Sequence, residues 1–133
     1  MILVDTNVIL DVIQDDPQWA QWSELQLDRA ALNDILCINA VIYAELSIAY
    51  AAIEQLETML ARARFEVEPI PREALFLAGK AFMRYRRSRG PKFGVLPDFF
   101  IGAHAAVAGH ALLTRDARRY KSYFPDVALI SPD

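Results

Sequence analysis

Two aspartates follow apolar runs that have the length and composition of buried strands. Asp5 comes directly after residues 1–4, and Asp116 lies two residues beyond residues 111–114. Short apolar runs of this kind predict strands. Ligands of a parallel α/β sheet bind at the carboxyl ends of its strands, so we expect both carboxylates at one edge of the sheet. This position makes them candidates to hold a divalent metal ion for cutting a phosphodiester.

Glu45 and Asp98 are two further acids whose sequence surroundings point to chemistry. In the predicted helices Glu45 has Ile42 and Ile48 three positions away on either side, and Asp98 has Ile101 three positions on. Residues three apart lie on one helix face. A carboxylate on an apolar face is costly to bury without a partner. We therefore expect both acids to face the same site as the acids of the sheet edge.

A cluster of four carboxylates needs cations or protons between its members. Two unit charges about 5 Å apart repel by roughly 3 kcal/mol at an effective dielectric constant of about 20. Hard oxygen ligands select magnesium or manganese rather than zinc. The sequence therefore predicts a Mg²⁺ or Mn²⁺ site.

Each acid also has a purely structural interpretation. Asp5 and Asp98 stand where helices are predicted to begin, and aspartate is a preferred N-cap residue. Glu45 could pair with an arginine across the core. These alternatives stay open for each acid alone, whereas the four taken together favour the metal site.

The composition predicts one soluble domain and excludes a strongly basic protein. The chain has 133 residues, 54% of them hydrophobic, and a formal net charge of −3. We expect a single domain over residues 1–133. The lone cysteine, Cys37, lies in an apolar run, and no export signal or membrane-spanning segment is evident. These features predict a cytoplasmic location in a reducing compartment, and they restrict any nucleic-acid contact to a local basic patch.

Strands that alternate with helices predict a three-layer α/β/α domain with a mostly parallel sheet of four to five strands. The predicted strands are residues 1–4, 35–38, 65–69, 111–114 and 127–130. The predicted helices are residues 6–13, 17–30, 40–51, 53–63, 72–87 and 116–123, with a further helix that opens at residue 96. In this last helix small residues are expected to form one face that packs closely on the sheet: Gly102, Ala105, Ala106 and Gly109. The two histidines, His104 and His110, are predicted to point to different faces and to be structural or surface residues.

In four short motifs the chain resembles the PIN domain family and, within it, the VapC-type toxins of bacterial toxin–antitoxin pairs. The motifs are Val4-Asp5-Thr6-Asn7-Val8, Ala44-Glu45-Leu46, Pro97-Asp98-Phe99-Phe100-Ile101 and Leu113-Thr114-Arg115-Asp116. Each motif is weakly specific alone, but their order and spacing agree over nearly the whole chain. The resemblance implies a metal-dependent endoribonuclease that leaves 5′-phosphate and 3′-hydroxyl ends.

The resemblance also implies roles for individual residues. The acidic pocket would consist of Asp5, Glu45, Asp98 and Asp116, with the first, third and fourth as ligands of Mg²⁺ or Mn²⁺. Thr6 and Asn7 would lie at its rim, and the Thr114 hydroxyl would support Asp116 or a metal-bound water. The chain departs from the family where many relatives carry Asp-Phe three residues after the last acid, because Arg119-Tyr120 stands there. Toxins of this kind usually form homodimers and are inhibited by a cognate antitoxin, often through an arginine.

Positive charge near the pocket is expected to guide an RNA backbone. Five bases lie within nine residues, and they are Arg84, Arg86, Arg87, Arg89 and Lys92. This run predicts a substrate track, although basic residues also favour a solvated helix C-terminus. Arg115 and the pair Arg118-Arg119 are closer to the predicted pocket and are candidates to touch phosphate. The pair Trp19 and Trp22, three residues apart, is either core or a site for a partner helix.

Two other functions compete with the nuclease. A haloacid-dehalogenase-like phosphatase would need a second aspartate two residues after the first, but Asn7 occupies that position. A PIN scaffold without turnover, which binds RNA or protein, remains the stronger alternative.

Overall fold

A computed structural model of the chain describes residues 1–88 and 95–132. Its strands are β1 (Ile2–Val4), β2 (Leu36–Ile38), β3 (Glu66–Val67), β4 (Ala111–Leu113) and β5 (Leu129–Ile130). Its helices are α1 (Thr6–Ile13), α2 (Ala20–Asn33), α3 (Ala40–Leu46), α4 (Ile53–Arg62), α5 (Arg72–Arg87), α6 (Leu96–Ala108) and α7 (Arg118–Tyr123), and a 3₁₀ turn (Ser47–Ala49) follows α3. Two bases of the predicted substrate track, Arg89 and Lys92, lie outside the described residues.

The five strands form one parallel sheet in the order β3-β2-β1-β4-β5. Helices connect the strands, so the predicted three-layer α/β/α architecture with a mostly parallel sheet is confirmed. Strand β1 is central, with Leu3 opposite Cys37 of β2 and Leu112 of β4. The order reverses between β1 and β4, and such a switch point opens a crevice at the carboxyl ends of the strands. Asp5, next after β1, therefore stands at the centre of the ligand-binding edge.

Local side-chain caps and apolar packing explain where the elements around this edge begin. Asn39 follows β2 and caps α3, since its Oδ1 accepts hydrogen bonds from the backbone N–H groups of Val41 at 3.1 Å and Ile42 at 3.0 Å. Pro97 lies in the first turn of α6, where its missing N–H has no helical partner to lose. The strands of the sheet centre are buried, and Phe99 of α6 packs among aromatic side chains of α5 and the α7 region.

Several element boundaries differ from the sequence prediction because side chains hold the adjoining backbone in turns. Helix α2 begins at Ala20 rather than Pro17, since Asp16 accepts hydrogen bonds from the N–H groups of Gln18 and Trp19, both at 2.9 Å. The predicted helix 40–51 ends as a helix at residue 46 and continues as the 3₁₀ turn. The strands are also shorter than predicted, with β3 and β5 two residues long each.

The prediction that four small residues of α6 form one packed face holds for only two of them. Ala106 and Gly109 are exposed, whereas Gly102 and Ala105 are buried. Gly102 faces the ring of Phe124, and a Cβ atom on Gly102 would lie 2.3 Å from that ring. The glycine therefore allows the segment after α7 to approach α6. In the described part of the chain no helix is both long and apolar enough to cross a membrane.

Candidate functional site at the carboxyl edge of the sheet

The Asp5 carboxylate is buried and held by three short hydrogen bonds. Its Oδ1 accepts from the backbone N–H of Thr6 at 2.8 Å. Its Oδ2 accepts from the Thr114 hydroxyl at 2.8 Å and from the Tyr120 hydroxyl at 2.9 Å. Asp5 is the N-cap residue of α1, so the capping alternative is correct. The cap uses one oxygen and leaves the other to the side chains of the site, which makes the two interpretations compatible.

Burial raises the pKa of Asp5 to about 6. This pKa is a net result, in which the charge of Asp98 acts in the same direction as burial and the hydrogen bonds from Thr114, Tyr120 and Thr6 act against them. The donors thus compensate only part of the cost of a buried negative charge beside a second one. A cation would supply the missing compensation, and the oxygen donors suit a hard divalent ion.

Glu45 reaches the same site from α3. It is half-buried and accepts a hydrogen bond of 2.6 Å from the Thr6 hydroxyl. Thr6 therefore connects the two acids, because its N–H binds Asp5 and its hydroxyl binds Glu45. No ion pair in the described chain involves Glu45, so the structural alternative, in which Glu45 pairs with an arginine across the core, was wrong.

Asp98 lies in the first turn of α6 and forms an ion pair with Arg119 of α7. The N-cap residue of α6 is Val95, so the interpretation of Asp98 as the cap was wrong. Burial raises the pKa of Asp98, and the charges of Glu45 and Asp116 act in the same direction, while Arg119 opposes them. Since Glu45 and Asp116 act on Asp98, and Asp98 acts on Asp5, the four acids lie in one neighbourhood.

Asp116 is exposed and sits in a turn ahead of α7. Its backbone N–H donates to the Thr114 hydroxyl at 3.1 Å, and this bond keeps residue 116 outside the helix in which it was predicted. Asp116 and Asp98 line a cleft of about 380 Å³, together with Tyr85, Arg118, Arg119, Ser122 and Tyr123. The Thr114 hydroxyl donates to Asp5 and accepts from the backbone N–H of Asp116, whereas the resemblance implied that it supports Asp116 or a metal-bound water.

The four carboxylates fit a hard divalent ion by their chemistry, although they are not yet gathered around one point. Within residues 1–88 and 95–132, no three of them bring one oxygen each within 4.8 Å of the others. Arg119 holds Asp98 instead. An ion held by Asp5, Asp98 and Asp116 together would compete with Arg119 for the Asp98 carboxylate.

Sequence reasoning missed Tyr120 as a functional candidate, and it predicted Arg119 as a phosphate contact but not as the partner of Asp98. Tyr120 is 1% exposed, and the charges of Asp5, Asp98 and Glu45 add to the effect of burial, which raises its pKa well above the usual value for tyrosine. The signal was present as the Arg119-Tyr120 departure from the family pattern. A sequence shows the departure but not that both side chains turn onto the acids.

Arg115 forms an ion pair with Asp11, a second residue that the sequence analysis missed. Asp11 is buried and accepts from Arg115 Nε at 2.8 Å and from the Ser23 hydroxyl at 2.7 Å. The guanidinium also lies over the Trp19 ring, 5.6 Å from its centroid. Trp19 packs edge to face with Trp22, and both are half-buried. Trp19 therefore helps to hold the Arg115 guanidinium in place.

The last residues with predicted roles are Asn7, Arg86 and Arg87, and their positions agree only partly with those roles. Asn7 lies at the rim as expected, with its Nδ2 3.4 Å from the Thr114 hydroxyl. Arg86 and Arg87 are exposed on the last turn of α5 and line a shallow cavity that does not include the acids. Tyr85, from the same turn, lines the acidic cleft.

The prediction that the histidines point to different faces was wrong. Helix α6 ends at Ala108, and Gly109 adopts a left-handed conformation with φ of 72° that turns the chain back. Consequently, both imidazole rings reach the same oxygen of Glu68. His104 Nε2 lies 2.9 Å from Glu68 Oε1, and His110 Nε2 lies 2.8 Å from it. The helical angle does not apply because His110 lies beyond the helix.

The fold and site together define a parallel α/β domain with an acidic crevice at its topological switch point. The sequence profile of the PIN domain matches residues 2–125. The chain belongs to the PIN domain family, and the resemblance seen in the motifs is confirmed. No curated protein matches the chain.

Solved structures with this fold include chains of toxin–antitoxin complexes. One is VapBC2 from Rickettsia felis, bound to a DNA fragment from its promoter. Its matched chain is 22% identical to this one over 100% of both chains, with a TM-score of 0.75. FitAcB from Neisseria gonorrhoeae is 24% identical over 99% of this chain and 98% of the other, with a TM-score of 0.69. DNA-bound VapBC from Salmonella typhimurium is 21% identical over 98% and 96%, with a TM-score of 0.70. At these identities the likeness establishes a shared fold, and family membership supports a hydrolase that acts on nucleic acid.

Proposed function

We propose that the protein is a metal-dependent endoribonuclease and the toxin of a toxin–antitoxin pair, formed by one domain over residues 1–133. The observation that carries the proposal is the buried Asp5 carboxylate at the switch point, with a pKa raised to about 6 by burial and then by Asp98. Such a site favours a cation, and membership of the PIN domain family supports hydrolysis of nucleic acid.

Asp5, Asp98 and Asp116 are the proposed ligands of Mg²⁺ or Mn²⁺. A divalent cation held there would supply Lewis-acid chemistry, which activates water for attack on phosphorus and stabilises charge on the leaving oxygen. Thr114 and Tyr120 hold one oxygen of Asp5, and Thr6 holds the other. These bonds fix the direction of the Asp5 lone pairs before substrate arrives, so less reorganisation is needed during the reaction.

Glu45 is the proposed acid that orients the attacking water. It is anchored by the Thr6 hydroxyl at 2.6 Å and keeps further acceptor capacity, because a carboxylate has two oxygens. Arg119 is the proposed contact of the scissile phosphate. If Asp98 held a cation, the Arg119 guanidinium would be free in the cleft to bind a phosphate in place of the carboxylate.

RNA is proposed to reach the cleft along the basic end of α5. Arg86 and Arg87 are exposed there, and Tyr85 joins their turn to the lining of the cleft. Arg115 is retained as an outer phosphate contact, with a weaker role because Asp11 already partners its charge.

A cognate antitoxin and a second copy of the chain are the proposed partners of this cytoplasmic protein. The matched structures are complexes of VapBC and FitAcB, which supports an antitoxin partner here. An almost entirely apolar groove of about 370 Å³ between α3 and α6, lined by Val41, Leu96 and Phe100 among others, supports a homodimer contact.

A catalytically weak scaffold that binds RNA or protein is the second candidate. It is favoured by the Asp98–Arg119 ion pair, which neutralises one proposed ligand, and by the separation of the carboxylate oxygens. A site already satisfied by an arginine can bind partners without turnover.

Cleavage of total cellular RNA by the purified protein distinguishes these candidates. The reactions contain magnesium, manganese or chelator, with the Asp98→Asn variant beside the parental protein. Discrete fragments that require both metal and Asp98 are expected from the nuclease. No cleavage in any condition, together with no magnesium or manganese binding by calorimetry, would support the scaffold instead. Metal binding without cleavage would support the metal site and show that total cellular RNA does not contain the substrate.

A further inference from the structure

A second group of possible metal ligands lies on the sheet, and none of its members is among the four carboxylates. Cys37 of β2, Glu68 just after β3 and His110 just before β4 bring one ligand atom each within 4.8 Å of the others. Cys37 is buried, while Glu68 and His110 are half-buried and give the group access to solvent. The mechanism proposed above uses none of these side chains.

The dimensions of this group are close to those of a metal site. With bond lengths near 2.0–2.3 Å, ligand atoms in a tetrahedral zinc site lie roughly 3.3–3.6 Å apart. His110 Nε2 and Glu68 Oε1 are 2.8 Å apart, and the Cys37 sulfur is within 4.8 Å of both groups. Small side-chain rotations are therefore enough to place all three around one ion.

Glu68 is also oriented from outside the group, as metal-binding carboxylates usually are. Asn39 uses its Oδ1 to cap α3, so its Nδ2 must be the atom that faces His104 Nδ1 at 3.1 Å. Because Nδ2 donates, His104 Nδ1 accepts, and the ring proton lies on Nε2. His104 therefore donates that proton to Glu68 Oε1 at 2.9 Å. This chain of bonds fixes the carboxylate whether or not an ion is bound.

We propose that Cys37, Glu68 and His110 form a site for a zinc-class divalent cation, separate from the carboxylate site for Mg²⁺ or Mn²⁺. A thiolate and an imidazole select zinc or cobalt over magnesium. Three protein ligands leave the fourth position of a tetrahedron to water. On binding, the Cys37 thiol loses its proton to solvent as the sulfur–metal bond forms. His110 Nε2 gives up the proton that it donates to Glu68, and Nδ1 takes one up by exchange with solvent, which frees the Nε2 lone pair for the ion.

The ion would connect three separate parts of the sheet. Cys37 belongs to β2, Glu68 follows the short edge strand β3, and His110 precedes β4. A cation bound only by the folded arrangement stabilises it by mass action. We therefore expect zinc to raise the thermal unfolding midpoint of the protein.

Cobalt absorption tests the site directly on the full, untagged chain under reducing conditions. A thiolate bound to Co²⁺ gives a charge-transfer band in the near ultraviolet, and oxygen ligands give none. The chain contains one cysteine, so such a band can come only from Cys37. The expected result is a band that saturates at one Co²⁺ per chain, is displaced by Zn²⁺ and is not displaced by excess Mg²⁺.

Three variants assign the ligands and the separation of the two sites. Cys37→Ala should abolish the band, and His110→Gln should weaken Co²⁺ binding by at least about tenfold, the lower end of the effect of disturbing a metal site. Asp98→Asn should leave the band and affinity unchanged. Circular dichroism verifies that each variant is folded, and His110→Gln keeps the test valid if Cys37→Ala does not fold. No band in the parental protein, or a band that His110→Gln leaves intact, would overturn the proposal, and loss of the band in Asp98→Asn would overturn the separation.

Discussion

Tyr120 donates its hydroxyl to Asp5 across 115 positions of the chain, with an O···O distance of 2.9 Å. This bond connects α7 to the end of the central strand and lies in the buried part of the site. Tyr120 belongs to the Arg119-Tyr120 pair, at which the resemblance in motifs had indicated only a departure from the family. The bond makes Tyr120 a positioning residue for the first acid of the pocket.

Replacement of Tyr120 by phenylalanine is expected to lower RNA cleavage by about tenfold, which corresponds to roughly 1.4 kcal/mol. The hydrogen bond to a charged acceptor is lost, while Thr114 and Thr6 still hold Asp5. Initial cleavage rates measured over a range of Mg²⁺ concentrations report the effect. Tyr123→Phe is the matched control, since the Tyr123 hydroxyl contacts only Ser88, at 3.4 Å, among the described hydrogen bonds. Equal rates for both variants would remove Tyr120 from the site.

Replacement of Asp5 by asparagine is expected to abolish cleavage and leave the fold intact. Asparagine keeps the volume and can still cap α1 through its side-chain oxygen, but it lacks the ligand charge. Cleavage assays and circular dichroism measure the two properties separately. Asp15→Asn, on an exposed residue, is the control. Cleavage at the parental rate by Asp5→Asn would contradict the assignment of Asp5 as a metal ligand.

Replacement of Arg119 by glutamine separates two roles of this side chain. If Arg119 contacts the phosphate, its loss should lower cleavage by about tenfold or more. The same change should make Mg²⁺ bind more tightly, because Asp98 loses its ion-pair partner. Calorimetry gives the metal affinity, and Lys121→Gln is the control, since Lys121 is an exposed base of the same helix that does not line the cleft. Faster cleavage by Arg119→Gln would instead identify the ion pair as a block on the site.

The double replacement of Arg86 and Arg87 by glutamine is expected to weaken RNA binding and its dependence on salt. Each contact with single-stranded nucleic acid contributes about 0.7 to the slope of log affinity against log salt, so the slope should fall by about 1.4. The Asp5→Asn background allows binding to be measured without cleavage. Arg62→Gln, on the exposed end of α4, serves as control. An unchanged slope would place the RNA track elsewhere.

Gly102→Ala is expected to destabilise the protein by about 1–3 kcal/mol, the usual cost of overpacking. The added methyl group would lie 2.3 Å from the Phe124 ring, which must shift. Gly79→Ala is the matched control, because a Cβ atom there has nothing within 4 Å and alanine favours the helix. Chemical denaturation should show opposite signs for the two variants, and equal stability would contradict the close packing of α6 against Phe124.

The sequence by itself determined the parallel α/β class and the position of the first acid, because both depend on local patterns. An apolar strand followed by an aspartate places Asp5 at the carboxyl end of β1 wherever the strand lies in the sheet. Alternation of strands and helices then requires parallel pairing with helices on the faces. The motifs supported the choice of Glu45 and Asp98, whose surroundings on their helices were only suggestive.

The tertiary structure decided what those acids touch. Arg119 reaches Asp98 and Tyr120 reaches Asp5 because α7 folds over the sheet edge after β4, and no short-range pattern specifies that approach. The meeting of His104 and His110 on Glu68 has the same cause, since it depends on the turn at Gly109 and on the neighbouring strands. Strand and helix patterns report which face of an element is buried. Partners from distant parts of the chain are fixed only when the elements pack together.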